Sequence, residues 1–99
     1  MSTAKGYVIA LIDVTDEAAY ARYREAAPAI IAAFAGRYLV RGGPHEAPEG
    51  PARSRHVILE FPDFAAARTF YHSDAYQAAL KDGLAGSVRE LVLVEGVPA

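Results

Sequence analysis

The 99-residue sequence has no cysteine, no tryptophan and a single methionine. Without cysteine there is no disulfide, no thiolate nucleophile and no Cys-based metal site. An excess of one charge is also missing. Ten basic and twelve acidic residues are interspersed, for a formal net charge of −2. No basic stripe matches a phosphate backbone, which argues against nucleic-acid binding. No polybasic or amphipathic anchor points to a membrane, and the longest apolar run is far too short to span a bilayer. Residues 1–5 lack a signal-peptide pattern, so the expected location is the cytoplasm.

The usual catalytic and cofactor signatures are absent too. His45, His56 and His72 show no close pairing and no His-x-x-x-His or Glu-x-x-His spacing. Ser54, Ser73 and Ser87 sit in no Gly-x-Ser-x-Gly elbow. Gly42-Gly43 is too short a run to cradle phosphates. Neither a metal nor another bound cofactor is therefore expected.

Apolar residues are abundant, at 53%. One domain over residues 1–99 can bury a core with them. The fraction is high for so small a monomer, which points to apolar surface meant for a partner subunit.

Tyr7 to Val14 alternates between two mainly apolar sets and reads as a central strand covered on both faces. Thr15 or Asp16 can cap a helix whose stripe runs through Tyr20, Tyr23, Ala27, Ile30 or Ile31, and Phe34. Tyr20 and Tyr23 read as the edge of the core. Pro28 predicts a kink or break near Ala26–Ala27, with a second segment ending at Gly36. Arg37–Gly43 and Arg55–Phe61 read as a hairpin across a Pro- and Gly-rich loop, which is either a flap over a pocket or a plain surface loop. Asp63 can cap the next helix. Ser73 or Asp74 can cap a further short one, Asp74 having capping-box spacing to Gln77. Gly83 and Gly86 bracket a turn, and Val88–Glu95 forms the last strand.

The hairpin carries the candidate chemistry. With Tyr38 and Val40 beside Val57 and Leu59, one face is wholly apolar. The reverse then gathers Arg37, Arg41, His56 and Glu60 between Leu39 and Ile58. The plain interpretation is a wetted face with cross-strand ion pairs. The functional one makes His56 and Glu60 the acid–base groups and lets Arg37 and Arg41 orient an anion or oxyanion. Tyr7, Asp13 and Tyr76 join the ligand site if the first strand and second helical region border the same cleft.

The order strand-helix-strand-strand-helix-strand is that of the ferredoxin-like α+β fold, with a four-stranded antiparallel sheet ordered 4-1-3-2 and helices on one face. The other face would pair with its copy in a homodimer. Leu39-Val40-Arg41-Gly42-Gly43, Glu60-Phe61-Pro62-Asp63-Phe64, Phe70 to Gln77 and Leu93-Val94-Glu95-Gly96 resemble, in order and spacing, a bacterial family of unknown function numbered thirteen-thirty. The likeness runs from about Lys5 to Val97. It implies membership of the dimeric α+β-barrel superfamily, whose members include cofactor-free monooxygenases, isomerases, haem-handling enzymes and sensor domains. The family often has Asn where this chain has His72, so His72 is read as a ligand-lining residue and not an essential base.

Together these readings give a homodimeric small-molecule enzyme. Its metabolite is small, anions being among the candidates, and its chemistry is acid–base or cofactor-free. The alternative is a non-catalytic ligand-binding or sensor module on the same fold.

Overall fold

A computed structural model describes residues 4–99. Strand β1 (Gly6–Val14) leads to helix α1 (Glu17–Ala33) and then to β2 (Arg37–Arg41) and β3 (Arg55–Phe61). Helices α2 (Phe64–Tyr71) and α3 (Asp74–Ala85) follow, and β4 (Ser87–Glu95) ends the fold. The four strands form one antiparallel sheet in the order β2-β3-β1-β4. This is the expected ferredoxin-like order read from the opposite edge.

Val8, Ala10 and Ile12 of β1 point under the helices with Leu59 and Phe61 of β3, and all five are buried. Alanines let α2 lie directly on the sheet: Ala67 and Phe70 are fully enclosed. Burying a Phe of this kind contributes roughly 1.5–3 kcal/mol. Helix α1 packs chiefly on α3 and stands farther from the strands. The side chains it sends toward the sheet include Tyr20 and Tyr23, and large rings hold a helix off where alanines let it settle.

Asp16 caps α1, accepting from the Ala18 and Ala19 amides. The helix then continues through Pro28 without the expected break. Proline removes one bond to the Arg24 carbonyl, but Arg24 is exposed and water can satisfy that oxygen. Buried Tyr20 and Ile31 also anchor the helix on either side of Pro28. The helix ends in a Schellman motif, with Gly36 N–H donating to the Ile31 carbonyl at 2.9 Å and Ala35 N–H to Ala32 at 3.0 Å. The left-handed position is filled by Ala35, at φ 64°. Gly36 is needed for another reason: a Cβ there would stand 2.5 Å from the Phe61 ring.

Asp63 caps α2 as expected. Ser73, and not Asp74, caps α3 through the Tyr76 amide, while Gln77 reaches back to the Tyr71 carbonyl. Gly83 lies inside α3 and not in a turn; a Cβ there would meet the Tyr23 ring at 2.8 Å.

The hairpin departs from simple alternation. Arg37 pairs with Glu60 and Tyr38 with Leu59, but Val40 then faces Ile58 and Arg41 faces Val57. A bulge at Leu39 inserts one residue and reverses the parity beyond it. Val40 therefore leaves the helix-covered face, and Arg41 joins it.

Candidate functional site

Parity along β1 and β3 gathers Tyr7, Asp13, His56 and Glu60 on the open side of the sheet. On the open side, Glu60 accepts from Arg37 Nε at 2.9 Å and from the Tyr7 hydroxyl at 3.1 Å. The Arg37 bond, followed by that of Tyr7, holds its carboxyl below the usual range. Burial and the neighbouring Glu60 push the Tyr7 phenol upward. Glu60 is thus a stabilised carboxylate, poorly suited to taking a proton at neutral pH.

His56 shares this side but stacks edge-on against His45, with ring centroids 4.4 Å apart. Four residues of extended chain separate it from Glu60, about 13 Å, too far for both to reach one small reacting centre. Asp13 accepts from the Ser54 amide at 2.8 Å and from Arg53 at 2.9 Å. The Ser54 bond is the leading reason its carboxyl lies below the ordinary value. Arg53 also bonds Glu90, so the root of the 42–54 loop is pinned to β1 and β4. His72 ends α2 beside Tyr71, exposed and outside the cleft described below.

Arg41 and Tyr76 lie on the helix side, so the expected strip does not form as one unit. The bulge carries Arg41 away from Arg37, His56 and Glu60. Its guanidinium sits 4.3 Å above the Tyr38 ring. There it borders a cleft between α1 and the sheet that holds about 450 Å³ of empty space, part of it open to solvent; ordered water fits its enclosed part, about 30 Å³. The floor is apolar, from Val8, Ala10, Ile12, Val57, Leu59 and Leu91. Tyr20, Tyr23, Tyr38 and Tyr76 supply aromatic walls, and Arg24, Arg41 and Arg55 supply the charge.

No carboxylate lines the cleft, and its three arginines take no part in the ion pairs found among the described residues. Arg55 Nε donates to the Tyr20 hydroxyl at 3.1 Å. Arg24 and Arg55 each stand 5.8 Å from the Tyr20 ring centre. Burial pushes the Tyr38 phenol up. Tyr76 is pushed up more strongly, first by burial and then by Tyr23 beside it. Both are neutral donors near pH 7.

Sequence reasoning left Arg24, Arg55 and Arg89 out of the site and treated Tyr20 and Tyr23 as core edge. Parity held a usable signal: Arg55 shares the phase of Val57 and Leu59, and Arg89 that of Leu91 and Leu93. Among the described residues, no group of three or more His, Asp or Glu side chains is placed to hold a metal ion. No helix among them is long and apolar enough to cross a membrane.

The fold agrees with the comparisons. Residues 5–97 match the family described as Domain of unknown function (DUF1330). The chain belongs to that family. No curated protein matches it. Among solved structures, it resembles RPA0582, a protein of unknown function from Rhodopseudomonas palustris, at 18% identity and TM-score 0.77, over 95% of this chain and 83% of that one. A dimeric ferredoxin-like protein of unknown function from Jannaschia sp. CCS1 aligns at 23% identity and TM-score 0.62, over 92% and 98%. SnoaB, a cofactor-independent oxygenase from Streptomyces nogalater, aligns at 14% identity and TM-score 0.59, over 98% and 97%. At these identities the likeness establishes the fold.

Proposed function

We propose that residues 1–99 act as one domain of a homodimeric enzyme that takes a small anionic metabolite into the cleft between α1 and the sheet. The carrying observation is the concentration of Arg24, Arg41 and Arg55 around one apolar-floored cleft with no carboxylate among its lining residues. The protein as a whole is slightly acidic, at −2, so this local positive charge is a segregated feature. A ligand carboxylate would supply the missing counter-charge through charge-assisted hydrogen bonds. Its body would rest on the apolar floor. The Tyr38 and Tyr76 phenols are neutral hydrogen-bond donors suited to acid–base or cofactor-free chemistry, a class supported by the shared fold with SnoaB.

His56, Glu60, Arg37, Tyr7 and Asp13 belong, in this reading, to the opposite face and its contacts with a second copy. The exposed side chains there support that pairing: Val88 and Val92 are each 52% exposed, Val94 42% and Leu11 37%. Dimerisation of the Jannaschia relative supports it too.

Titration calorimetry with benzoate and pentanoate tests the cleft. Wild-type protein should bind at least one of them. Arg55→Met, which keeps the stem and removes the charge, should weaken binding by about tenfold to a hundredfold. Undiminished affinity in folded Arg55→Met protein overturns the assignment. Incubation with candidate metabolites then separates enzyme from sensor: a consumed ligand supports the enzyme, and one bound but recovered unchanged supports the sensor module.

A further inference from the structure

Two tyrosines of the cleft wall join a cluster with Arg89, which stands behind them outside the lining. Tyr23 and Tyr76 line the cleft, and their hydroxyls are 2.8 Å apart. Arg89 Nη2 donates to the Tyr76 hydroxyl at 3.0 Å and reaches that of Tyr23 at 3.4 Å. Its guanidinium carbon stands 5.0 Å from the Tyr23 ring centre. Arg89 is opposite Ile12 in the sheet, and Ile12 and Leu91 both belong to the cleft floor.

The protons of this cluster do not balance its acceptors. Two phenols carry two O–H protons, and their mutual bond uses one. Arg89 offers protons to both oxygens and accepts none. One phenolic proton is left over. Arg89 Nη1 is buried and has no hydrogen-bond partner among the described residues. Buried donors are rarely left this way, because the donor has given up its water and gained nothing in return. No carboxylate joins the cluster, so both its charge and its spare donors lack a complement.

We propose that Tyr23, Tyr76 and Arg89 form a second subsite that receives an acceptor oxygen of the ligand, a carbonyl or enolate-type oxygen. This rests on the reading of the cleft as an anion site and narrows the ligand class to small oxo acids. The carboxylate end meets Arg24 and Arg55 at Tyr20. The oxo end meets the phenols. The Tyr20, Tyr23 and Tyr76 rings connect the two ends in centroid steps of 5.6 and 6.1 Å, which a short carbon chain can span. Phenol donors beside the Arg89 cation favour an oxygen that carries or develops negative charge.

Matched probes test this: pentanoate against 4-oxopentanoate, and hexanoate against 5-oxohexanoate. Each pair shares the carboxylate and differs in the carbonyl. Wild-type protein should bind the oxo acid about tenfold more tightly, the scale of one good hydrogen bond. Tyr76→Phe and Tyr23→Phe each keep a ring and remove a hydroxyl. Each should erase that preference, with the fold checked by circular dichroism. Equal affinity for the two members of each pair in wild-type protein overturns the oxo subsite and leaves the anion cleft standing. A preference that survives in both folded Phe variants overturns it equally. Failure of the alkanoates and the oxo acids alike to bind overturns the anion cleft, and the subsite with it.

Discussion

Ala35 and Gly36 divide the work that a single glycine often does at a helix end. Ala35 occupies the left-handed region, where an L side chain costs roughly 1–2 kcal/mol. It is exposed, so its methyl packs on nothing of consequence. Gly36 follows because the buried Phe61 ring leaves no room for a Cβ. Ala35→Gly should therefore stabilise the fold by about 1 kcal/mol. Gly36→Ala should destabilise it by about 1–3 kcal/mol, since Phe61 cannot step aside without strain. Urea denaturation of the two variants checks both signs, and a reversed order would contradict this account. Gly42 is a comparable case beside the cleft. Its φ is +67°, and a Cβ would come within 2.3 Å of Arg55 Nη1, so the turn glycine also makes room for an arginine that lines the cleft.

The elements were largely legible because their signals are local. Apolar alternation marks the four strands, while Asp16, Asp63 and Ser73 stand where helices must begin. The candidate site was less so, for two physical reasons. A bulge leaves no mark in the alternation of a five-residue strand, so Arg41 reads onto the wrong face. A cleft, moreover, comes from the distance between α1 and the sheet, which depends on ring packing among residues far apart in sequence. The loop between β2 and β3 poses a related question, since its ten-odd residues look free until Arg53 is found bonded to Asp13 and Glu90. Both carboxyls are held below their ordinary values, Asp13 first by the Ser54 amide and Glu90 first by Arg53. A carboxyl depressed in the folded state stabilises it above the unfolded pKa, and that contribution fades as pH falls through the lower folded value. The tether should thus hold at neutral pH and weaken below about pH 4. Limited proteolysis within 44–52 should quicken several-fold in Arg53→Gln at pH 7. The same variant should lose less stability than wild type between about pH 5 and 3, because its two carboxyls titrate nearer their ordinary values. An unchanged cleavage rate would mean that the tether does not restrain the loop.

At the scale of the whole molecule, one sheet separates two different environments. The helix side holds the cleft, whereas the open side holds Val92 opposite Ile9 and Val94 opposite Tyr7, with Arg37 bonded to Glu60 nearby. A second copy laid on the open side would remove the exposed valines from water at about 25 cal/mol per Å² of apolar area. A stable pairing commonly buries about 800 Å² per partner. Val92→Glu places a carboxylate near the middle of that apolar area. A charge without a partner there costs several kcal/mol, enough to weaken association by about a thousandfold or more. Light scattering should report a dimer for wild type and the 10.6 kDa monomer for the variant at the same concentration. Carboxylate binding should survive in the monomer, because Arg24, Arg41 and Arg55 all come from one chain and lie across the sheet from Val92. A Val92→Glu protein that stays dimeric would move the interface elsewhere. A monomer that loses binding would mean that the partner helps build the cleft.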